Sequence, residues 1–416
     1  MTCPGCQQPA EFKGYRPRTV ESLLGTVHYR RGYYHCGRCG HGLFPFDDEA
    51  GLGPHRLTPG AERVVGLLGL SCDSFEEAAQ KVLPEACGLR LGESTVRLVT
   101  EDAGARLGKL HEGGHTLGDS EPFEWHKDSQ GRTCAYVSLD LTGVPQQAKG
   151  GGSAEGRMPY VAAVYNPAAE PAAEPAAAPL PVPGYQPVAE TVAAAAALPR
   201  SAQDQAPARP RMQARYLAGL LSLADLGLLL RQQAAQVGME RAEQWIGISD
   251  GGSGLEDFLR TNFNRANLVI ILDFWHPTGY LEALARAMHP DDEDRRVSQM
   301  KSWCHLMKHK GGAAIREELE GVEIARNKRA ARQARQGAVT YIRNNEHRMD
   351  YPYYLSQGWQ IGSGPIESAC KTVVGQRLKL AGMRWREYGT DNVCHLRALF
   401  KSDKAQWEAF WERNVN

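Results

Sequence analysis

The chain has 416 residues, of which 42% are hydrophobic and 23% charged, as is usual for a globular protein with a sizeable core. This length predicts more than one domain. The 48 Lys and Arg balance the 48 Asp and Glu, so any nucleic-acid surface must come from local segregation of charge. The apolar runs are far shorter than the roughly 20 residues of a membrane span. Residues 1–6 lack the pattern of a signal peptide, and we therefore expect a cytoplasmic protein with no membrane partner.

Four of the ten cysteines form two Cys-x-x-Cys pairs, and these are Cys3, Cys6, Cys36 and Cys39. A gap of two residues lets both thiolates of a pair reach one metal ion. The segment 18–34 between the pairs is rich in Thr, Val, Tyr and His and predicts a β-hairpin that turns at Leu24–Gly25. The spacing therefore predicts a Zn²⁺ ribbon over residues 1–50. A site with four thiolates is closed, so its expected role is architectural and not catalytic.

Residues 55–115 predict three short helices. Thr58 is a candidate N-cap followed by proline, and Ser74 and Glu77 form a candidate capping box. Gly92 introduces the third helix after a tight turn. This order predicts a helix-turn-helix segment that binds DNA, although many small helical bundles share the pattern.

The chain beyond residue 120 alternates strands and helices, which predicts a multi-domain α/β protein. The expected strands are 135–144, 158–165, 213–217, 245–249 and 267–272. Helices are expected over 221–236, throughout a helical insertion at 278–350, and again from Pro365. The core is expected to begin with residues 120–277 and to be completed by a C-terminal part, 351–416. Within it, residues 167–210 contain 10 Pro and 16 Ala, which predicts a flexible insertion without a core of its own.

Three of the predicted strands end in an aspartate, and these are Asp140, Asp250 and Asp273. Functional groups of α/β sheets collect beyond the carboxyl ends of strands, where two neighbouring carboxylates need a cation. Hard oxygen ligands suit Mg²⁺ or Mn²⁺. Glu367 is a further candidate ligand, because it lies in the first turn of the helix that Gly364 and Pro365 begin. The alternative is that each acid only caps a strand or a helix.

Two later segments carry a local excess of basic residues. Residues 324–348 hold seven Lys and Arg against one acid, and residues 371–401 hold seven against two. Such an excess in a neutral chain favours phosphate contacts over a solvated helix face. The candidate DNA-binding residues are Arg326, Lys328, Arg329, Arg332, Lys371, Arg377, Arg384 and Arg386. Trp385 and Tyr388 lie within the second segment, where stacking on an unpaired base is expected.

Taken together, the motifs resemble the DDE transposases of bacterial insertion sequences, and the Kra-type and related groups are the nearest. The resemblance covers nearly the whole chain outside residues 167–210. It rests on the order of the ribbon, the helical segment and four short strings, which are Val137–Asp140, Ile248–Gly252, Leu272–His276 and Ser363–Ser368.

The resemblance implies an RNase H-like core with a helical insertion before its last catalytic helix. In that family the first acid lies on the first strand, the second follows the fourth strand, and the third lies on a later helix. Asp140, Asp250 and Glu367 take these places, whereas Asp273 and His276 would lie near the site but outside the triad. The implied activity is cutting and joining of transposon ends with two metal ions. The implied partners are double-stranded DNA of the terminal repeats and target, and a homo-oligomer on the bacterial nucleoid.

Other reaction classes fit the strings less well. An aspartate-nucleophile phosphatase needs a second aspartate two residues after the first, and Thr142 stands there. Dinucleotide binding needs a longer glycine motif than residues 252–254 supply. Two alternatives remain open. One is a catalytically inactive relative that only binds DNA, which the insertion at 167–210 favours, and the other is a metal-dependent nuclease without strand transfer.

Overall fold

A computed structural model describes residues 1–167, 212–252 and 254–412. Almost all of the predicted insertion at 167–210 therefore lies outside the described residues. The described strands are β1 (Glu11–Ser22), β2 (Gly25–His35), β3 (Gly42–Leu43), β4 (Cys134–Leu141), β5 (Val144–Gln147), β6 (Ser153–Arg157), β7 (Tyr160–Asn166), β8 (Gln213–Gly219), β9 (Gln244–Ser249) and β10 (Leu268–Leu272).

Helices make up most of the remaining described residues. They are α1 (Pro45–Glu49), α2 (Pro59–Ser71), α3 (Phe75–Glu77, continued by a π-helical turn Ala78–Val82 and by Leu83–Cys87), α4 (Glu93–Glu112), α5 (Leu223–Gln236), α6 (Leu255–Asn262), α7 (Trp275–Met288), α8 (Glu293–Gly321), α9 (Arg329–Asn345), α10 (Tyr351–Ser356), α11 (Gly364–Ala369, continued by a π-helical turn Cys370–Gly375 and by Gln376–Leu378), α12 (Glu387–Lys401) and α13 (Lys404–Glu412). The chain is thus a mixed α/β protein, as its pattern predicts.

The N-terminal sheet consists of the hairpin β1–β2 with the short strand β3 beside β2. The hairpin is antiparallel and stays paired as far as Ser22 and Gly25, so its turn is Leu23–Leu24, one residue before the predicted position. The ribbon has only a small apolar core, which contains Ala10 and Leu43 in addition to buried cysteines.

The central sheet has five strands in the order β10–β9–β4–β7–β8. The first three strands of this sheet in chain order, β4, β7 and β8, are antiparallel neighbours, whereas β9 and β10 run parallel to β4. Helices α5 and α6 connect β8 to β9 and β9 to β10. The pairing of β7 with β8 ends at Asn166 and Gln213. All five predicted strands are therefore confirmed, with ends that differ by a few residues.

Both faces of the central sheet are covered. Val137 and Leu139 pack in a core with α5 and α6, whereas Tyr136 packs in a larger core on the other side. In β10, Ile270 belongs to the first core and Ile271 to the second, so β10 is buried on both faces although it lies at a sheet edge.

The three helices predicted over 55–115 are confirmed as α2, α3 and α4, and Ser74 caps α3 as expected. They share one hydrophobic core with the central sheet and the C-terminal helices. Helix α4 packs along α12, which in turn packs on β8. Helices α4 and α12 approach so closely that a Cβ at Gly104 would lie 2.1 Å from the carbonyl oxygen of Asn392.

Replacing Gly104 with alanine should therefore destabilise the whole protein. The added methyl group must push α4 away from α12, and overpacking of this kind costs roughly 1–3 kcal/mol. Gly337→Ala is the control, because Gly337 is an exposed residue of α9 and a Cβ added there would meet no neighbouring atom within 4 Å. That change should stabilise the protein by about 0.4–1 kcal/mol. Urea unfolding measures both, and equal midpoints would contradict the close packing of α4 on α12.

Candidate functional site

The four predicted zinc ligands come together at the end of the ribbon. The Sγ atoms of Cys3 and Cys39 are 3.5 Å apart, those of Cys6 and Cys36 are 3.4 Å apart, and all four lie within 4.8 Å of one another. A tetrahedral zinc site with bonds of about 2.3 Å needs sulfur atoms about 3.8 Å apart. A tight turn encloses each Cys-x-x-Cys pair. The N–H of Gln7 donates to the Cys3 carbonyl, and the N–H of Gly40 donates to the Cys36 carbonyl. The cluster can therefore hold a metal such as zinc.

Asp140 and Asp250 lie on neighbouring parallel strands of the central sheet. Ser138 of β4 pairs with Ile248 of β9, so the same register carried two residues further brings Asp140 alongside Asp250. Burial raises the pKa of Asp140, and the negative charge of Asp250 acts in the same direction. The N–H of Leu141 opposes this shift by donating to Oδ1 of Asp140 over 2.7 Å. The edge of the sheet thus holds two acids that repel each other.

Glu367 lies in the first turn of α11, and this part of α11 packs against β4 and β7. Its carboxylate accepts a hydrogen bond from Lys371 over 2.7 Å and is exposed. One turn later, Sγ of Cys370 lies 3.7 Å from Oδ2 of Asp140. Burial raises the pKa of the Cys370 thiol to about 12, and the charges of Asp140 and Glu367 add to the shift. Helix α11 therefore brings Glu367 to the side of the sheet where Asp140 lies.

The three acids are less compact than the cysteine cluster. Within the part of the chain that the structure describes, only Cys3, Cys6, Cys36 and Cys39 place three or more metal-ligand atoms within 4.8 Å of one another. Oδ1 of Asp250 accepts the N–H of Gly252, and Glu367 is held by Lys371. A metal site that includes Glu367 requires its carboxylate to leave Lys371 and turn towards the aspartates.

Asp273 and His276 follow β10 at the same edge. The Asp273 side chain is buried, and its Oδ1 accepts the N–H groups of Ser363 over 2.8 Å and of Trp275 over 3.3 Å. Asp273 therefore fixes the loop from which α11 begins. His276 is closer to the acids, because its Nδ1 lies 3.8 Å from Oδ2 of Asp250.

Two residues at this edge carry no recognisable site signal in the sequence. Arg348 is almost fully buried and donates to the Asp250 carbonyl over 3.0 Å and to Ser249 Oγ over 3.1 Å, so it fixes the end of β9. Tyr341 of α9 stacks on the ring of His276, with ring centres 5.5 Å apart. Both come from the predicted helical insertion, which therefore forms one wall of the site.

Most of the predicted DNA-binding residues are exposed. Arg326, Lys328, Arg329 and Arg332 surround the start of α9, and Lys371, Arg384 and Arg386 are also exposed. Arg377 differs, because only 1% of its surface is accessible. Its Nε donates to the Gly69 carbonyl over 2.9 Å, and its guanidinium lies over the rings of Phe75 and Trp385. Arg377 is thus a packing residue, and Trp385 is likewise buried rather than free to stack on an exposed strand.

The cluster at the start of α9 gives a quantitative prediction. Replacing Arg326, Lys328, Arg329 and Arg332 with alanine should flatten the slope of log K for duplex DNA against log salt concentration by up to about four units, since each phosphate contact contributes about one. The matched control replaces four other exposed arginines, Arg241, Arg260, Arg286 and Arg295. Equal slopes for the two fourfold variants would contradict a specific phosphate surface at α9.

The raised pKa of Asp140 gives a prediction for stability. The unfolded carboxyl ionises near its ordinary value, and the folded one at higher pH, so ionisation costs stability as the pH rises through the folded pKa. Asp140→Asn removes this cost, and Asn retains an oxygen for the Leu141 N–H. In EDTA the variant should be more stable than the wild type near pH 8, and the difference should shrink towards pH 4. Urea unfolding at several pH values measures it, and a difference independent of pH would contradict a buried charge.

Comparison with known proteins assigns no activity. Residues 7–151 match the model of an uncharacterised protein family (UPF0236), which is about a third of the chain. The matched part contains most of the ribbon, α2–α4 and Asp140, but neither Asp250 nor Glu367. No curated protein matches the sequence. None of the helices in the described ranges has the length and apolar character needed to span a bilayer.

Proposed function

We propose that the chain is a DNA transposase of the DDE type with an RNase H-like core. The observation that carries the proposal is the placement of two acids on the central sheet. Asp140 lies on β4, its first strand in chain order, and Asp250 directly follows β9, its fourth. The two strands are parallel neighbours, and the two carboxylates interact. This is the arrangement that the resemblance to DDE transposases implies.

In the proposed reaction, Asp140, Asp250 and Glu367 hold divalent cations, Mg²⁺ or Mn²⁺. Two such ions, when bound, would supply activation of a water or 3′-hydroxyl and neutralisation of charge on the leaving oxygen. The surrounding residues keep the ligands in place. Arg348 anchors the end of β9 before Asp250, and Asp273 anchors the loop that begins α11 before Glu367. Glu367 would have to leave its salt bridge with Lys371 to hold a cation.

The proposed partner is double-stranded DNA, namely transposon terminal repeats and a target, held by a homo-oligomer. The exposed basic residues at the start of α9 and in 371–401 support a DNA partner. The cluster at the start of α9 shares that helix with Tyr341, and Lys371 lies one turn after Glu367 in α11. The zinc ribbon is an architectural part of the same DNA-binding protein.

The test is incubation of the full chain with a labelled duplex that carries the DNA flanking its gene, in Mg²⁺ or in EDTA. We expect cleavage at the element boundary and a joined product in Mg²⁺ only. An unrelated duplex of equal length is the control. Cleavage of both duplexes without a joined product would instead indicate a nuclease, and binding without cleavage would indicate an inactive relative.

A further inference from the structure

A cavity of about 770 Å³, which none of the three acids lines, lies between the first turns of α4 and the segment 382–389. Its size is that of a small-molecule site, large enough for one nucleotide and too small for a duplex. The two sides come from regions whose sequences separately predict DNA contacts, the third helix of the helix-turn-helix pattern and the second basic segment. The fold brings these two regions together around one space.

The wall of the cavity includes two buried donors that lack acceptors. Phe75 and Trp385 meet edge to face with ring centres 5.8 Å apart, and Arg377 lies over both rings. Nη2 of Arg377 and Nε1 of Trp385 have no hydrogen-bond partner among the described residues. Both side chains are more than nine-tenths buried. An unpaired buried donor costs roughly 1–3 kcal/mol, and each of these atoms exposes less than 1 Å², so an acceptor reaches them only if the wall shifts.

The rim of the cavity combines positive charge with exposed apolar surface. Arg384 and Arg386 line the rim and are exposed. Tyr388 and Leu98 are also exposed there, by 55% and 43% of their surfaces. Arginine beside an exposed aromatic ring is the combination that binds a phosphate together with a stacked base.

Two acids also line this cavity, and their charge limits how much negative charge a bound ligand can carry. Glu101 is buried and pairs with Arg97 over 3.0 Å, and burial raises its pKa. Glu93 lies at the start of α4 and is exposed. Four arginines, Arg97, Arg377, Arg384 and Arg386, outnumber these two acids around the cavity. The net charge of the side chains around the cavity is therefore positive, as binding of a singly charged phosphodiester requires.

One side of the cavity is hydrogen-bonded to β5, the strand that directly follows β4 and its Asp140. The N–H of Gln147, in the hairpin that follows β4, donates to the Trp385 carbonyl over 2.7 Å, and the N–H of Trp385 donates back to the Pro145 carbonyl.

We propose that this cavity takes one unpaired nucleotide of the DNA substrate, with its base against Tyr388 and Leu98 and its phosphate at Arg384 and Arg386. The inference rests on the proposed function, because it names a contact of the same DNA substrate.

Binding of short single strands to the full chain in EDTA tests the proposal. The probes are a fluorescent oligonucleotide of eight thymidines and a matched strand whose sugars carry no bases. Tyr388→Ala should weaken binding of the thymidine strand by about 5- to 150-fold, the effect of losing one stacked base. Binding of the abasic strand should not change. Replacing Arg384 and Arg386 together with alanine should weaken both probes, and Tyr353→Ala, which alters another exposed tyrosine, should weaken neither.

Photocrosslinking of the wild-type chain locates the base without any variant. A strand containing 5-iodouracil should crosslink within residues 382–389. Crosslinks confined to other segments, or equal losses of both probes in Tyr388→Ala, would overturn the proposal. Neither measurement needs a metal ion or cleavage. A chain that binds the nucleotide here but never cuts DNA would refute the transposase proposal and leave this site standing. A chain that cuts and joins DNA but does not bind the nucleotide here would refute this site and leave the transposase proposal standing.

Discussion

Asp140→Asn should abolish metal-dependent cleavage of DNA while the fold and the affinity for DNA remain. Asparagine keeps the shape of the side chain and an oxygen for the Leu141 N–H, but it loses the charge that holds a cation. A metal ion supplies several kcal/mol of transition-state stabilisation, so the rate of cleavage should fall by about 10³-fold or more. We expect the same for Asp250→Asn and Glu367→Gln in single-turnover cleavage assays.

Asp273→Asn is the matched control for these three variants. Its Oδ1 accepts two backbone N–H groups, from Ser363 and Trp275, and an asparagine oxygen can accept both. The loop that begins α11 should therefore stay in place, and the loss of activity should be smaller than for any of the three acids. Full cleavage by Asp140→Asn would refute the proposed role of that acid. A loss in Asp273→Asn as large as in Asp250→Asn would mean that the second acid is misassigned.

The second large effect concerns zinc. The full chain purified without chelator should contain about one zinc ion, and Cys36→Ser should lose it and unfold the ribbon. The ribbon buries too few apolar side chains to fold by itself, since its core outside the cysteines comprises mainly Ala10 and Leu43. Binding of the metal then supplies the folding energy. Elemental analysis measures the zinc, and limited proteolysis measures the unfolding of residues 1–50.

Cys87→Ser is the control for this experiment, because Cys87 is a partly buried cysteine of α3 outside the cluster. It should retain zinc and resist proteolysis as the wild type does. A wild-type chain without zinc, or a Cys36→Ser ribbon as resistant as the wild type, would contradict a structural metal site.

The sequence predicts the central sheet because its strands carry strong local patterns. Apolar and polar residues alternate along β4, and β10 consists of an uninterrupted run of apolar residues. The proximity of Asp140 to Asp250 also follows from sequence, since parallel strands bring their carboxyl ends to one edge. The hairpin β5–β6 was not predicted, because its exposed second strand, Ser153–Arg157, lacks apolar alternation and follows a run of glycines.

Contacts between distant parts of the chain could not be predicted from local patterns. Arg377 belongs to a basic segment, yet its partners are the Gly69 carbonyl and the Phe75 ring, some 300 residues earlier. The packing of α4 on α12 is equally distant in sequence and shows only as a glycine at position 104. The site wall formed by Tyr341 and Arg348 likewise depends on contacts with residues far away in the sequence. A residue type indicates its chemistry, whereas its burial depends on partners that the local sequence does not contain.

The register of β7 and β8 has a practical consequence for protein engineering. Asn166 and Gln213 are paired across the two strands, and the Asn166 side chain binds Gln213 and the backbone of the segment before β4. The chain therefore leaves the sheet and returns to it at nearly one point. The entropy of closing a loop changes by only about 0.6 kcal/mol for each doubling of its length. Residues 167–212 are thus a natural position for a short designed turn or for a fused reporter domain, with the sheet and its acidic edge left intact.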